Sequence, residues 1–139
     1  MNCSIAQTLE IIGERWTLLI LRDAFRGSVR FQDFLSIGMS RNVLTQRLKT
    51  LVNESIFEKH PIDGRASQYL LTSKGRDLLP ILLSITHWGD QHMAHPKGLR
   101  SICVEKKTDQ PIAPMSPYST DGRALSLSEI VLKSGPGSA

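Results

Sequence analysis

The 139-residue chain holds only two cysteines and no CxxC pair, so neither a disulfide framework nor a zinc ribbon has the residues it needs. No run of eighteen apolar residues occurs, and the first residues lack the basic-then-apolar pattern of a signal sequence, which sets the expectation of a cytoplasmic protein that does not span a membrane. A basic amphipathic helix suited to a membrane surface is also missing. Catalytic signatures are equally scarce: there is no nucleophile elbow, no phosphate-binding glycine loop and no carboxylate pair in a recognisable setting. His87, His92 and His95 gather near one helix end with Asp90 among them, but His87 and His92 are five residues apart and diverge on a helix. Only His92 and His95 keep a spacing compatible with metal ligands, so the expectation is no enzyme, no cofactor and no metal, with a metal-dependent enzyme as the weaker alternative.

What is present points to an anionic partner. The formal net charge is +4 and the pI about 9.3. From Arg26 to Arg76 there are nine Lys or Arg against four Asp or Glu, a local balance of +5, so the basic excess is concentrated in the middle of the chain. A hydrophobic content of 40% in this length supports one modest core with an extension. The division expected is one domain over 1–95 and a C-terminal extension over 96–139.

The basic middle has a specific order. Two amphipathic segments, FQDFLSIG and SRNVLTQRLKTLVN, are joined by a glycine turn and followed by two strand-like runs around Asp63-Gly64. As a helix from Ser40 to Asn53, the second segment gathers Val43, Leu44, Leu48, Leu51 and Val52 on one face at three- and four-residue spacing. Its other face carries Arg41, Asn42, Thr45, Gln46 and Lys49, residue types that bond to base edges and phosphates. Ser40 is a good N-cap, and Gly38 gives the turn its freedom. The bland reading is a surface helix with a solvated polar face.

The strand-like runs, Ile56 to His60 and Ser67 to Leu71, flank Asp63-Gly64, a strong hairpin signal. Lys59 and Arg65 beside that turn either reach a phosphate or the minor groove, or simply discourage edge pairing. The order helix, turn, helix, hairpin predicts a mainly α, α+β fold: a winged helix-turn-helix. Helices flank it on both sides. ERWTLLILRDAF is apolar on more than one side, and a second helix capped by Thr72 and running to about Met93 is expected to kink at Pro80 without interruption. Its apolar face is too broad for one neighbour, so a second copy of the chain would cover it, bringing two recognition helices about 34 Å apart onto one face of a duplex. A winged helix used for protein contacts alone remains the alternative of another class.

These strings resemble the HxlR-type winged helix-turn-helix transcriptional regulators of bacteria, relatives of the MarR type. The resemblance rests on Cys3 shortly before a helix, IIGERWTLLILRDAFRG (11–27), RFQDFL (30–35), SRNVLTQRLKTL (40–51) and YLLTSKGRDLLPILLSITHWGD (69–90), in order and over about two thirds of the chain. It implies a homodimeric, double-stranded-DNA-binding regulator of a promoter, with residues 40–53 as recognition helix and 56–71 as wing; Arg30 is a further candidate for contact with backbone phosphate, and a small-molecule inducer is a candidate partner. The wing string HPIDGRASQY departs from the family by being shorter and lacking a proline-rich tip. The resemblance further implies a redox-sensing role for Cys3, chemistry that requires an accessible thiol beside positive charge or a helix N-terminus. The bland alternative for Cys3 is a small buried interface residue, and Cys103 is a conceivable partner across a dimer.

Beyond residue 96 the chain is rich in Pro, Ser and Gly, with strand-like runs at 102–106 and 125–132; Ser126 and Glu129 also fit a capping box. Longer members of the family carry comparable extensions, some with paired cysteines suited to zinc, but Asp121-Gly122 stands in that place here. The extension is expected to pack on the core or a partner, or to wall a ligand cavity.

Overall fold

The computed structural model describes residues 2–138. The chain falls into two compact units, one ending at Leu79 and one spanning Pro80 to Gly137.

The first unit contains α1 (Ser4–Ile12), α2 (Arg15–Phe25), α3 (Phe31–Leu35), α4 (Arg41–Asn53), the antiparallel hairpin β1 (Phe57–Asp63) and β2 (Ala66–Leu71), and the single turn α5 (Ser73–Arg76). Its core is drawn from several of them: Ile12 from α1, Ile20 and Leu21 from α2, Phe34 from α3, Met39 from the turn, Leu44, Leu48 and Leu51 from α4, and Ile56 and Phe57 from the hairpin entry, all buried. Phe34 and Phe57 meet at 6.0 Å between ring centroids, and Phe57 meets Tyr69 edge-on at 6.3 Å, so the hairpin is clamped to α3 by aromatic packing.

The turn between α3 and α4 requires Gly38, which sits at φ +108°, a conformation that an L side chain rarely adopts. Ser40 then caps α4 by accepting from the Val43 amide at 3.2 Å. At the other end Ser55 occupies the left-handed position, φ 59°, while the Ile56 amide donates to the Leu51 carbonyl and the Ser55 amide to that of Val52. This is a Schellman closure, with buried Ile56 against buried Leu51 as its apolar contact.

The hairpin register pairs Phe57 with Leu71, Lys59 with Tyr69 and Asp63 with Ala66, with an irregularity between Pro61 and Asp63. The two loop residues are therefore Gly64 and Arg65, one position later than the Asp63-Gly64 turn expected from sequence. On its far side β2 receives a third, minimal strand: Arg30 bridges Gln68, and the Tyr69 amide donates to the Val29 carbonyl at 2.7 Å.

The helix expected to run from Thr72 to Met93 is interrupted, not kinked. Thr72 caps α5 by accepting from the Gly75 amide, α5 ends at Arg76, and a new helix, α6 (Leu79–His92), starts with Pro80 in its first turn. Proline is well suited there because the first-turn amides have no helical acceptor, whereas in mid-helix its ring would strike the preceding turn.

The second unit consists of α6 and a ribbon of turns. No residue of α6 is buried. The sequence-predicted strand at 102–106 is reduced to one bridge, Val104 to Pro111, and a second bridge joins Tyr118 to Ala124. The run at 125–132 adopts the alternative reading: a single 3-10 turn, Leu127–Glu129, with the Glu129 carboxylate accepting from the Ser126 amide at 3.0 Å.

Candidate nucleic-acid interface

On α4 the helical period separates two roles. Leu44, Leu48 and Leu51 point into the core, while Arg41, Asn42, Thr45, Gln46 and Lys49 are all exposed. The row is partly preordered. The Arg41 guanidinium lies 5.1 Å from the centroid of Phe31, which steadies a long side chain by cation–π contact. Thr45 donates its hydroxyl proton to the Arg41 carbonyl at 2.8 Å, so the side chain offers a methyl group and an acceptor outward, in place of a free donor. Arg47, which sequence reasoning left out of the row, turns the other way: its Nε is 2.9 Å from a Glu14 carboxylate oxygen, an ion pair by distance without hydrogen-bond alignment. Glu14 also caps α2 by accepting from the Thr17 amide, so the pair fastens α4 to the start of α2.

Between α4 and the hairpin lies a groove of about 350 Å³ lined by Thr45, Lys49, Val52, Asn53, Lys59 and Tyr69, with Leu48 at its floor. It brings three of the sequence-predicted residues, Thr45, Lys49 and Lys59, into one place. Asn53 and Tyr69 belong to the same groove but were missed by sequence reasoning. Tyr69 faces Lys59 across the strands, its ring 5.9 Å from the ammonium, a pairing that only the register reveals. Arg65 is exposed in the hairpin loop, apart from the groove. Glu58 and His60 pair with each other on β1 at 3.0 Å.

Arg30 is exposed at the N-terminus of α3, its backbone bridged to Gln68. The adjacent Asp33 carboxylate accepts from the Arg30 amide at 3.0 Å and the Val29 amide at 3.2 Å, and these two bonds, that of Arg30 first, hold its pKa below the usual carboxylate value. Cys3 is exposed at the N-cap of α1, and Cys103 is exposed in the second unit; both are free thiols. Among the described residues no group of three or more His, Cys, Asp or Glu could hold a metal ion, and no helix is long and apolar enough to cross a membrane.

Comparison with known proteins places this geometry. Residues 11–97 match the family model described as HxlR-like helix-turn-helix. An uncharacterised HTH-type transcriptional regulator of Mycobacterium tuberculosis is 41% identical over 98 residues, which cover 68% of this chain and 62% of that protein, so the chain spans less than two thirds of the relative's length. Among solved structures, PA1607, a candidate transcription factor, is 34% identical with a TM-score of 0.86 and coverage of 94% of both chains. The redox regulator HypR in its reduced form is 27% identical with a TM-score of 0.61, covering 66% of this chain and 94% of its own.

Proposed function

Because the chain belongs to the HxlR-like helix-turn-helix family, we propose that it regulates transcription by binding a promoter operator as a homodimer, with the outer face of α4 in the major groove. The observation that carries this reading is the division of α4: three leucines buried on one side, five exposed base- and phosphate-competent side chains on the other. In the proposal Arg41, Asn42 and Gln46 read base edges. Lys49 and Lys59, on opposite banks of the groove beside α4, grip one phosphate strand, and Arg30 and Arg65 touch the backbone at either side. Pairing of two chains is supported by α6, where Ile81, Ile85 and Trp88 form an apolar stripe 41%, 50% and 59% exposed. In this division residues 1–95 bind DNA and pair, while the extension from 96 onward serves the partner or a ligand.

Selection of a duplex from a random library, followed by affinity measurements on variants, tests the assignment. Arg41→Ala should cost about 1–3 kcal/mol and relax preference at one base pair, whereas Arg65→Ala should weaken every sequence alike. Unchanged binding in both variants would remove the assignment.

A redox response is a second reading, favoured by the exposed position of Cys3 at the start of α1 and by the likeness to HypR. Mild oxidation with diamide should weaken operator binding by the natural chain. An equal response in Cys3→Ser would dismiss it.

A further inference from the structure

The second unit contains a cavity of about 430 Å³, within the range of small-molecule sites. One wall is α6, which contributes Leu83, Thr86, His87 and Asp90 at three- and four-residue spacing. The other is a turn whose two arms are held together by backbone bonds, the Ile112 amide to the Cys103 carbonyl at 3.0 Å and the Glu105 amide to the Gln110 carbonyl at 2.8 Å. Ile102, Ile112 and Met115 make this wall apolar.

The charge inside is lopsided. The chain carries 17 Lys and Arg, yet none lines the cavity, and Asp90 is its one carboxylate. Asp90 is half-buried, and its carboxylate forms no hydrogen bond or ion pair among the described residues. A carboxylate with no partner of its own is free to accept a charge-assisted hydrogen bond from a cation placed beside it. The lining includes no Phe, Tyr or Trp, so recognition would come from this one charge and a mixed lining of aliphatic and uncharged polar side chains, not from an aromatic cage.

The cavity is also distinct from the stripe assigned to pairing. Nine residues separate Ile81 from Asp90, which at about 100° each puts them on opposite sides of α6. A second chain covering Ile81, Ile85 and Trp88 would leave the Asp90 face of that helix to the cavity.

We propose that this cavity is a binding site for an organic cation: an ammonium group at Asp90 with an aliphatic body against Leu83, Ile102 and Ile112. The inference rests on the reading that the extension from 96 onward serves a ligand, and it names the chemical class of that ligand. Binding is read on the protein without DNA, so its failure is separable from failure of the operator assignment.

The test uses three probes of equal chain length, hexylamine, 1-hexanol and hexanoate, titrated into the isotope-labelled full chain while amide resonances of residues 83–91 and 101–115 are followed by NMR. Hexylamine should bind on the order of tenfold tighter than 1-hexanol, as a charge-assisted bond predicts, and hexanoate should bind weakest. Because the chain as a whole is positive, long-range attraction favours hexanoate, and an amine preference must come from the cavity. Asp90→Asn should reduce hexylamine to the level of 1-hexanol, and Ala113→Trp, which fills the space from an exposed position, should abolish binding of both. Equal affinities for the three probes, an amine preference that survives Asp90→Asn, or resonances that move for no probe would each overturn the proposal.

Discussion

Replacing Gly75 with alanine would place a methyl group 2.3 Å from the Ile56 carbonyl oxygen and 3.0 Å from a Leu71 methyl. The first contact is with backbone and has no rotamer to escape into. That carbonyl is also engaged, since it accepts from the Thr72 amide at 3.0 Å, while the Thr72 hydroxyl bonds the carbonyls of Ser55 and Ile56 and accepts from Gly75 itself. Relieving the overlap means moving α5 away by about 1 Å, which opens this junction between the end of α4 and the base of β2. Overpacking of this kind costs about 1–3 kcal/mol, and each hydrogen bond lengthened or lost adds about 0.5–1.5 kcal/mol. A total of about 3 kcal/mol corresponds to a fall in Tm of roughly 12–24 °C for a domain of ~80 residues. Gly89→Ala is the control, because its methyl would meet only the far end of Met93 at 3.7 Å and alanine favours a helix. Urea unfolding followed by circular dichroism, with both variants, measures the difference. A Gly75→Ala stability within about 0.5 kcal/mol of the natural chain would refute the close approach on which this reasoning stands.

Ser55→Gly should stabilise the fold by about 0.5–1 kcal/mol, because a side chain at φ 59° is strained where glycine is not; thermal denaturation showing a loss would contradict the Schellman closure. Leu44→Ala should cost about 2–5 kcal/mol in unfolding free energy, whereas Gln46→Ala, two residues on, should leave unfolding nearly unchanged and weaken duplex binding. The pair fails if both variants lose stability equally. Asp33 has its folded pKa lowered by the amides of Arg30 and Val29, so its contribution is complete above the unfolded value of about 3.9 and disappears as pH falls through the lower folded value. Asp33→Asn should therefore lose less stability than the natural chain between about pH 6 and about pH 3, as read from urea midpoints; parallel losses would exclude the amide bonds as the cause.

Elements whose causes are local were legible in the sequence. The boundaries of α4 follow from Ser40 and from leucine spacing, and α1 begins at Ser4, directly after Cys3, where a helix is expected. Where a distant contact decides, the reading drifted. The hairpin loop sits one residue later than Asp63-Gly64 because its register is set at the far end, by Phe57 packing on Phe34 and pairing with Leu71. The break after α5 reads as a kink from sequence because Pro80 is visible there, but the approach of Gly75 to Ile56, nineteen residues upstream along the chain, is not. Within the candidate interface, the exposed row of α4 could be listed from periodicity. Its continuation through Asn53, Lys59 and Tyr69 depends on how the hairpin lies against the helix, and Tyr69 carried no sequence signal beyond its place in a strand.

The most direct test of the central claim is the salt dependence of affinity for a selected duplex, measured by fluorescence anisotropy between about 50 and about 200 mM salt. If the α4 face and the hairpin neutralise phosphates, log Kd should rise linearly with log salt with a slope of several units, and Lys49→Ala should reduce that slope by about 1. A slope near zero, or one that Lys49→Ala leaves untouched, would contradict the account.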